Sequence, residues 1–194
     1  MGFFMPFWKK YSLAACLLLV AWLSMWVPVS TAADGIVIRS AEMRQVDGEY
    51  LLYARLSITL TPMLTDALNR GINLYFNTDF DFSLPRWYWF PEQLAHVSKV
   101  TRLSYNTLLR QYFVSGIDVQ ARSMNTLPEA LAYLGTIDGW KVIARDRLSK
   151  SASYRATLSM QLDTSQLPKP LQINDIATGR WNLDSTPLVW MMTL

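Results

Sequence analysis

The chain has 194 residues, a formal charge of +3 at pH 7 and an apolar composition of 51%, which is long enough for a substantial core. Two of its 18 basic side chains, Lys9 and Lys10, and its only cysteine, Cys16, lie in the first 33 residues. The remainder is near neutral and free of thiols, which excludes nucleic-acid binding through bulk charge, disulfides, thiolate catalysis and Cys-based metal sites.

Residues 1–33 have the order of a secretory signal. Lys9 and Lys10 form a basic start, Leu13 to Val29 an apolar run interrupted by Ser24 and Pro28, and Ser30-Thr31-Ala32-Ala33 a stretch of small residues with cleavage expected after Ala32 or Ala33. The rival reading is an uncleaved anchor helix, because the run reaches the lower limit of about 17 residues for a spanning helix and carries Trp22 and Trp26. Cleavage is preferred. Both readings deliver the body across the membrane, since positive charge precedes the apolar run. The expected location is periplasmic or secreted, or held at the inner membrane by residues 13–29. Leu13-Ala14-Ala15-Cys16 matches the tetrapeptide of lipoprotein signals, but most of the apolar stretch here follows the cysteine, from Leu17 to Val29. Cys16 is therefore read as an ordinary small residue.

The body reads mostly as strands. Ile36 to Arg44 is a strand candidate, and Asp47-Gly48 marks a hairpin turn after it. From Tyr50 the even positions Leu52, Ala54, Leu56, Ile58 and Leu60 are apolar against Arg55, Ser57 and Thr59, the period-two pattern of a half-buried strand. Thr61-Pro62 caps a short helix that Gly71 ends, with Met63, Leu64, Ala67 and Leu68 on its inner side. Leu74, Phe76, Thr78, Phe80 and Phe82 then alternate with Tyr75, Asn77, Asp79, Asp81 and Ser83.

Val100 to Tyr105 and Leu109 to Val114 are weaker strand candidates, followed by Ile117, Val119 and Ala121 alternating with Asp118, Gln120 and Arg122. Thr126-Leu127-Pro128-Glu129 has capping-box spacing and opens a second short helix that Gly135 closes. Trp140 to Arg147 is another strand candidate. The clearest late strand is Tyr154, Ala156, Leu158, Met160 and Leu162 against Arg155, Thr157, Ser159 and Gln161. Leu171 to Asn174, Gly179 to Leu183 and the apolar end from Leu188 complete the set, the end being expected to dock against a sheet.

Strands with one wet and one dry face favour two antiparallel sheets packed face to face. The expected fold is mainly β: an antiparallel two-sheet β-sandwich, immunoglobulin-like or similar, with two short helices, over residues 34–194 as a single domain.

Catalytic patterns are sparse. His96 is the only histidine, and Gly-x-Ser-x-Gly is absent. Asn77, Asp79 and Asp81 repeat at every second residue, like the opening of a calcium loop, but Phe82 stands where that loop needs glycine and Tyr88 where it needs its bidentate glutamate. They are weak metal candidates, and an exposed polar strand face is the preferred reading. No catalytic residue, metal or other cofactor is expected. A carboxylate-based hydrolase using Asp79, Asp81 and His96 is the most distant alternative.

Pro85-Arg86-Trp87-Tyr88-Trp89-Phe90-Pro91 sets four rings between two prolines. Alternation would send Trp87 and Trp89 to one face and Tyr88 and Phe90 to the other. Two readings stand: a recognition surface built on Arg86, Trp87 and Trp89, or burial of both faces, the preferred one. Arg86 is a candidate to pair with Asp79 or Asp81.

Five marks in order resemble the exported bacterial proteins grouped as domain of unknown function 4390. They are the signal sequence; Arg86-Trp87-Tyr88-Trp89 after an Asp- and Phe-rich strand; Leu103-Ser104-Tyr105-Asn106-Thr107-Leu108 leading to Arg110-Gln111-Tyr112; Leu127 to Gly135; and Trp181-Asn182-Leu183-Asp184-Ser185. The resemblance covers essentially the whole body, with the order of the set carrying it. It implies no activity and no catalytic residue. It does imply a gene neighbourhood shared with a membrane sensor kinase, hence an envelope protein of that kind as a partner. The expected function is a non-enzymatic binding or accessory protein of the cell envelope, with glycan or lipid binding as the alternative; the membrane is met only through the leader if it is uncleaved.

Overall fold

A computed structural model of the chain describes residues 35–117, 119–149, 152–168 and 182–193. The chain divides into two compact units, Met1–Ala32 and Ala33–Leu194. All described residues belong to the second, so the signal, anchor and lipidation readings lie outside them, as do Leu171 to Asn174 and Gly179 to Trp181. No helix among the described residues is long and apolar enough to cross a membrane.

The second unit is mainly β, with nine strands among the described residues in two antiparallel sheets. β1 (Gly35–Val46), β2 (Glu49–Thr59) and β7 (Thr136–Ala144) form a sheet in the order β1-β2-β7. β3 (Leu74–Leu84), β4 (Glu92–Asn106), β5 (Gln111–Gly116), β6 (Val119–Met124), β8 (Ser153–Leu162) and β9 (Leu188–Thr193) form the other, ordered β6-β5-β4-β3-β8-β9. This division into three and six differs from the four and three of an immunoglobulin constant domain. Helices α1 (Pro62–Asn69) and α2 (Leu127–Leu134) complete the unit.

One apolar core draws on both sheets. Leu52, Ala54, Leu56 and Ile58 of β2, Leu74, Phe76, Phe80 and Phe82 of β3, and the even positions of β8 from Tyr154 to Leu162 are all buried, as alternation requires when one face is covered. Phe82 stacks on Tyr154 at 5.2 Å, and Phe80 meets Trp190 of β9 at 6.1 Å. Phe80 and Phe82, fully buried, each contribute on the order of 1.5–3 kcal/mol. The terminal strand thus docks, pairing Leu158 to Ser153 of β8 with Leu188 to Thr193. The core residues run from Ile36 to Leu183, so Ala33–Leu194 is a unit with a core of its own.

Local signals set the turns and helix starts. Asp47 and Gly48 both take positive φ, 50° and 79°, as a two-residue hairpin with right-handed strand twist needs. Thr61 Oγ1 accepts from the Leu64 amide at 3.2 Å and Thr126 Oγ1 from the Glu129 amide at 3.4 Å, each satisfying an amide the helix leaves unpaired. Gly71 ends α1 with φ of 87°. Gly135 differs: its φ is −77°, and a Cβ there would lie 2.2 Å from the Leu56 carbonyl oxygen. Close approach of the α2 terminus to β2, where the Leu56 amide donates to the Gly135 carbonyl at 2.7 Å, demands glycine there.

Several elements depart from expectation. Met63 faces outward from α1 because only Leu64, Ala67 and Leu68 lie on its buried stripe. Ile117 is not a strand position: Gly116 pairs with Val119, which leaves Ile117 exposed in the turn joining β5 to β6. β5 begins at Gln111, since Leu108 and Leu109 are exposed in the preceding turn, where both amides donate to Asn106 Oδ1 at 3.0 Å. β7 spans Thr136–Ala144, and Arg145–Arg147 coil into a short 3-10 turn. β4 is one strand from Glu92, so Val100 to Tyr105 is only its second half.

Candidate functional site

β3 and β4 pair continuously from Leu74 opposite Leu103 to Leu84 opposite Glu92, with an irregularity after Phe82 where Leu94 is passed over. The prolines at 85 and 91 stop the ladder, because each fixes φ and offers no amide to a neighbouring strand. The segment between them is therefore a loop, and strand alternation does not apply to it. An ion pair between Arg86 and Glu92 joins the two sides of its base. Arg86 thus pairs with neither Asp79 nor Asp81: its position beyond the end of β3 favours the carboxylate facing it on β4.

The four rings lie in water. Trp87, Tyr88, Trp89 and Phe90 are 95%, 64%, 69% and 80% exposed, which overturns the expectation that both faces are buried. The physical reason is that, among the described residues, no second layer covers this end of the β3–β4 hairpin: Leu84 and Leu94 at the foot of the loop still pack on the core, and no ring of the loop does. The rings touch chiefly one another. Trp87 meets Tyr88 edge-on at 5.3 Å and 76°, and Trp89 meets Phe90 at 6.2 Å and 84°. Contiguous exposed apolar rings of this kind make a candidate contact site.

A polar cluster lies at the foot of the loop. Asp81 Oδ1 accepts from Gln93 Nε2 at 2.9 Å and lies 2.8 Å from His96 Nδ1. Asp79 stands two residues along β3, opposite Ser98 on one neighbour and Ser159 on the other, and Asn77 is opposite Val100 and Gln161. Successive members of this row are about 7 Å apart along the strand, too far for all three to surround one cation. Among the described residues, no group of three or more His, Cys, Asp or Glu side chains is placed to hold a metal ion.

A groove of about 590 Å³ runs between β4 and β7, lined by Leu94, Val97, Glu49, Lys141, Val142 and Arg147. Lys141 Nζ lies 2.7 Å from Glu49 Oε1, while Glu49 Oε2 is buried without a hydrogen-bond partner. Sequence reading missed this groove, and it named Asp81 and His96 together only in the distant hydrolase alternative, without placing them in contact. The signal for that contact was the doubly proline-bounded turn, which implies a hairpin and so places Asp81 across from a residue just beyond Pro91.

No curated protein matches the chain, and no solved structure does. Residues 33–191 match the model of the family described as Domain of unknown function (DUF4390), and the chain belongs to that family.

Proposed function

We propose that this chain is an exported, non-enzymatic binding and accessory protein of the bacterial cell envelope, a β-sandwich that meets its target through Arg86, Trp87, Tyr88, Trp89 and Phe90. The observation that carries the reading is the exposure of four consecutive rings on a loop held between two paired strands. Large rigid rings bury much area at little entropy cost when a partner covers them. The signal-like leader supports export. The family resemblance, with its link to a membrane sensor kinase, points to a membrane-embedded envelope protein as the partner class.

The test is cross-linking in cells that carry the full chain tagged at its carboxyl end, followed by purification and mass spectrometry. The expected result is recovery of an envelope membrane protein with the wild type, its loss in Trp87→Ala/Trp89→Ala, and an amino terminus near residue 33 or 34. Equal recovery with the variant would remove the loop as the contact element.

A further inference from the structure

We infer that the tip formed by Trp87, Tyr88, Trp89 and Phe90 is an interfacial membrane anchor whose rings enter the headgroup region of a lipid bilayer. The inference rests on reading this loop as the contact element, and it adds what the rings contact.

Ring exposure is the first argument. All four consecutive rings are exposed, and they touch edge-on in two neighbouring pairs, at 76° and 84°, so the tip presents aromatic surface with no protein cover among the described residues. A fluid interface closes around it from every side and needs no complementary shape. Trp and Tyr suit that region because each has an apolar body and one N–H or O–H for the hydrated layer.

Charge is the second. Between Pro85 and Glu92 the only charged side chains are Arg86 and Glu92, and they pair with each other at the base. The tip itself is uncharged, so insertion desolvates no ion and requires no anionic lipid. The frame is also prepared for insertion: Phe80 and Phe82 root β3 in the core and the two prolines restrict the loop, which lowers the ordering cost of binding.

The chain's own make-up is the third. The apolar run Leu13–Val29 ends shortly before β1, so a segment of bilayer character adjoins this domain in the sequence.

The test uses residues 33–194, which have a core of their own, so that the leader cannot bind lipid in their place. Large vesicles of zwitterionic phosphatidylcholine, with and without brominated chains, are titrated against the protein while co-sedimentation and tryptophan quenching are read. The wild type is expected to sediment with the vesicles and to be quenched. Trp87→Ala/Trp89→Ala should bind at least about tenfold more weakly, as should Tyr88→Ala/Phe90→Ala, with circular dichroism unchanged in both. Ile117→Ser, at an exposed apolar side chain elsewhere, should bind like the wild type. Binding should also be the same at about 0.05 and 0.5 M salt, conditions that would separate it from charge attraction. Absence of wild-type binding, equal binding by the ring variants, or abolition by salt would each overturn the inference. If vesicles fail while cross-linking still recovers an envelope protein in a ring-dependent way, only the bilayer assignment falls; if neither depends on the rings, the loop is not the contact element.

Discussion

His96 and Asp81 face each other across the β3–β4 ladder, with Nδ1 2.8 Å from Oδ1. Gln93 shares the same carboxylate oxygen, so Asp81 links two side chains of β4 to β3 at the foot of the aromatic loop. About half of each side chain of the pair remains in water, 53% for His96 and 46% for Asp81. Exposed pairs of this kind contribute about 0–1 kcal/mol. His96→Ala and Asp81→Asn should therefore each unfold in urea within about 1 kcal/mol of the wild type. A loss several times larger in either variant would mean that the pair holds the hairpin together.

The loop and the strand that carries it should separate cleanly in stability. Trp87→Ala should change unfolding free energy by about 0.5 kcal/mol or less, because the ring is 95% exposed. Phe82→Ala removes a fully buried ring that stacks on Tyr154 and should cost about 3–5 kcal/mol, a large share of a domain's typical 5–15. Thermal or urea melts of the two variants compare them directly, and similar losses would contradict the exposure of the loop.

Gly135 offers a test of close packing. Its backbone angles suit any residue, but a methyl group would meet the Leu56 carbonyl oxygen at 2.2 Å. Gly135→Ala should destabilise by about 1–3 kcal/mol through overpacking, although alanine is ordinarily the better helix residue. If the variant proves as stable as the wild type, the end of α2 does not press on β2.

Tyr112 donates its hydroxyl to Asn69 Oδ1 at 3.0 Å and lies against Tyr105, ring centres 4.7 Å apart. Burial, and then the neighbouring Tyr105, push its pKa up from the ordinary value. The folded state thus holds this proton more tightly than the unfolded chain. The resulting stability is full below the unfolded value of about 10 and is lost as pH rises through the higher folded one. In an absorbance titration, the phenol missing from Tyr112→Phe should ionise above the ordinary tyrosine value. Ionisation at or below that value would refute the effect.

Much of the frame was legible because it is written in local periods. Over 50–60, 74–83 and 154–162 the even positions are apolar or aromatic except Thr78, and a strand is the simplest conformation that gathers them on one face. Thr61 and Thr126 were readable as caps because a side-chain oxygen satisfies an amide only three residues away. The order of short motifs likewise identified the family that the chain belongs to. The first half of β4 was not legible, since Glu92 to Lys99 shows little alternation and none of its side chains is fully buried.

By itself, then, the sequence determined the near-neutral body, the mainly β frame, the hairpin at Asp47-Gly48 and the helix starts, all of which depend on residues near one another in the chain. Tertiary structure decided the rest. Whether Trp87 to Phe90 lie inside or outside depends on what covers the end of the β3–β4 hairpin, and among the described residues nothing does. Whether Arg86 answers Asp79, Asp81 or Glu92 depends on which carboxylate the loop brings within reach. Gly135 has the same origin, in a backbone crossing that no local pattern records. A period in the sequence specifies which side chains share a face; only the packing of distant segments specifies whether that face meets protein or water.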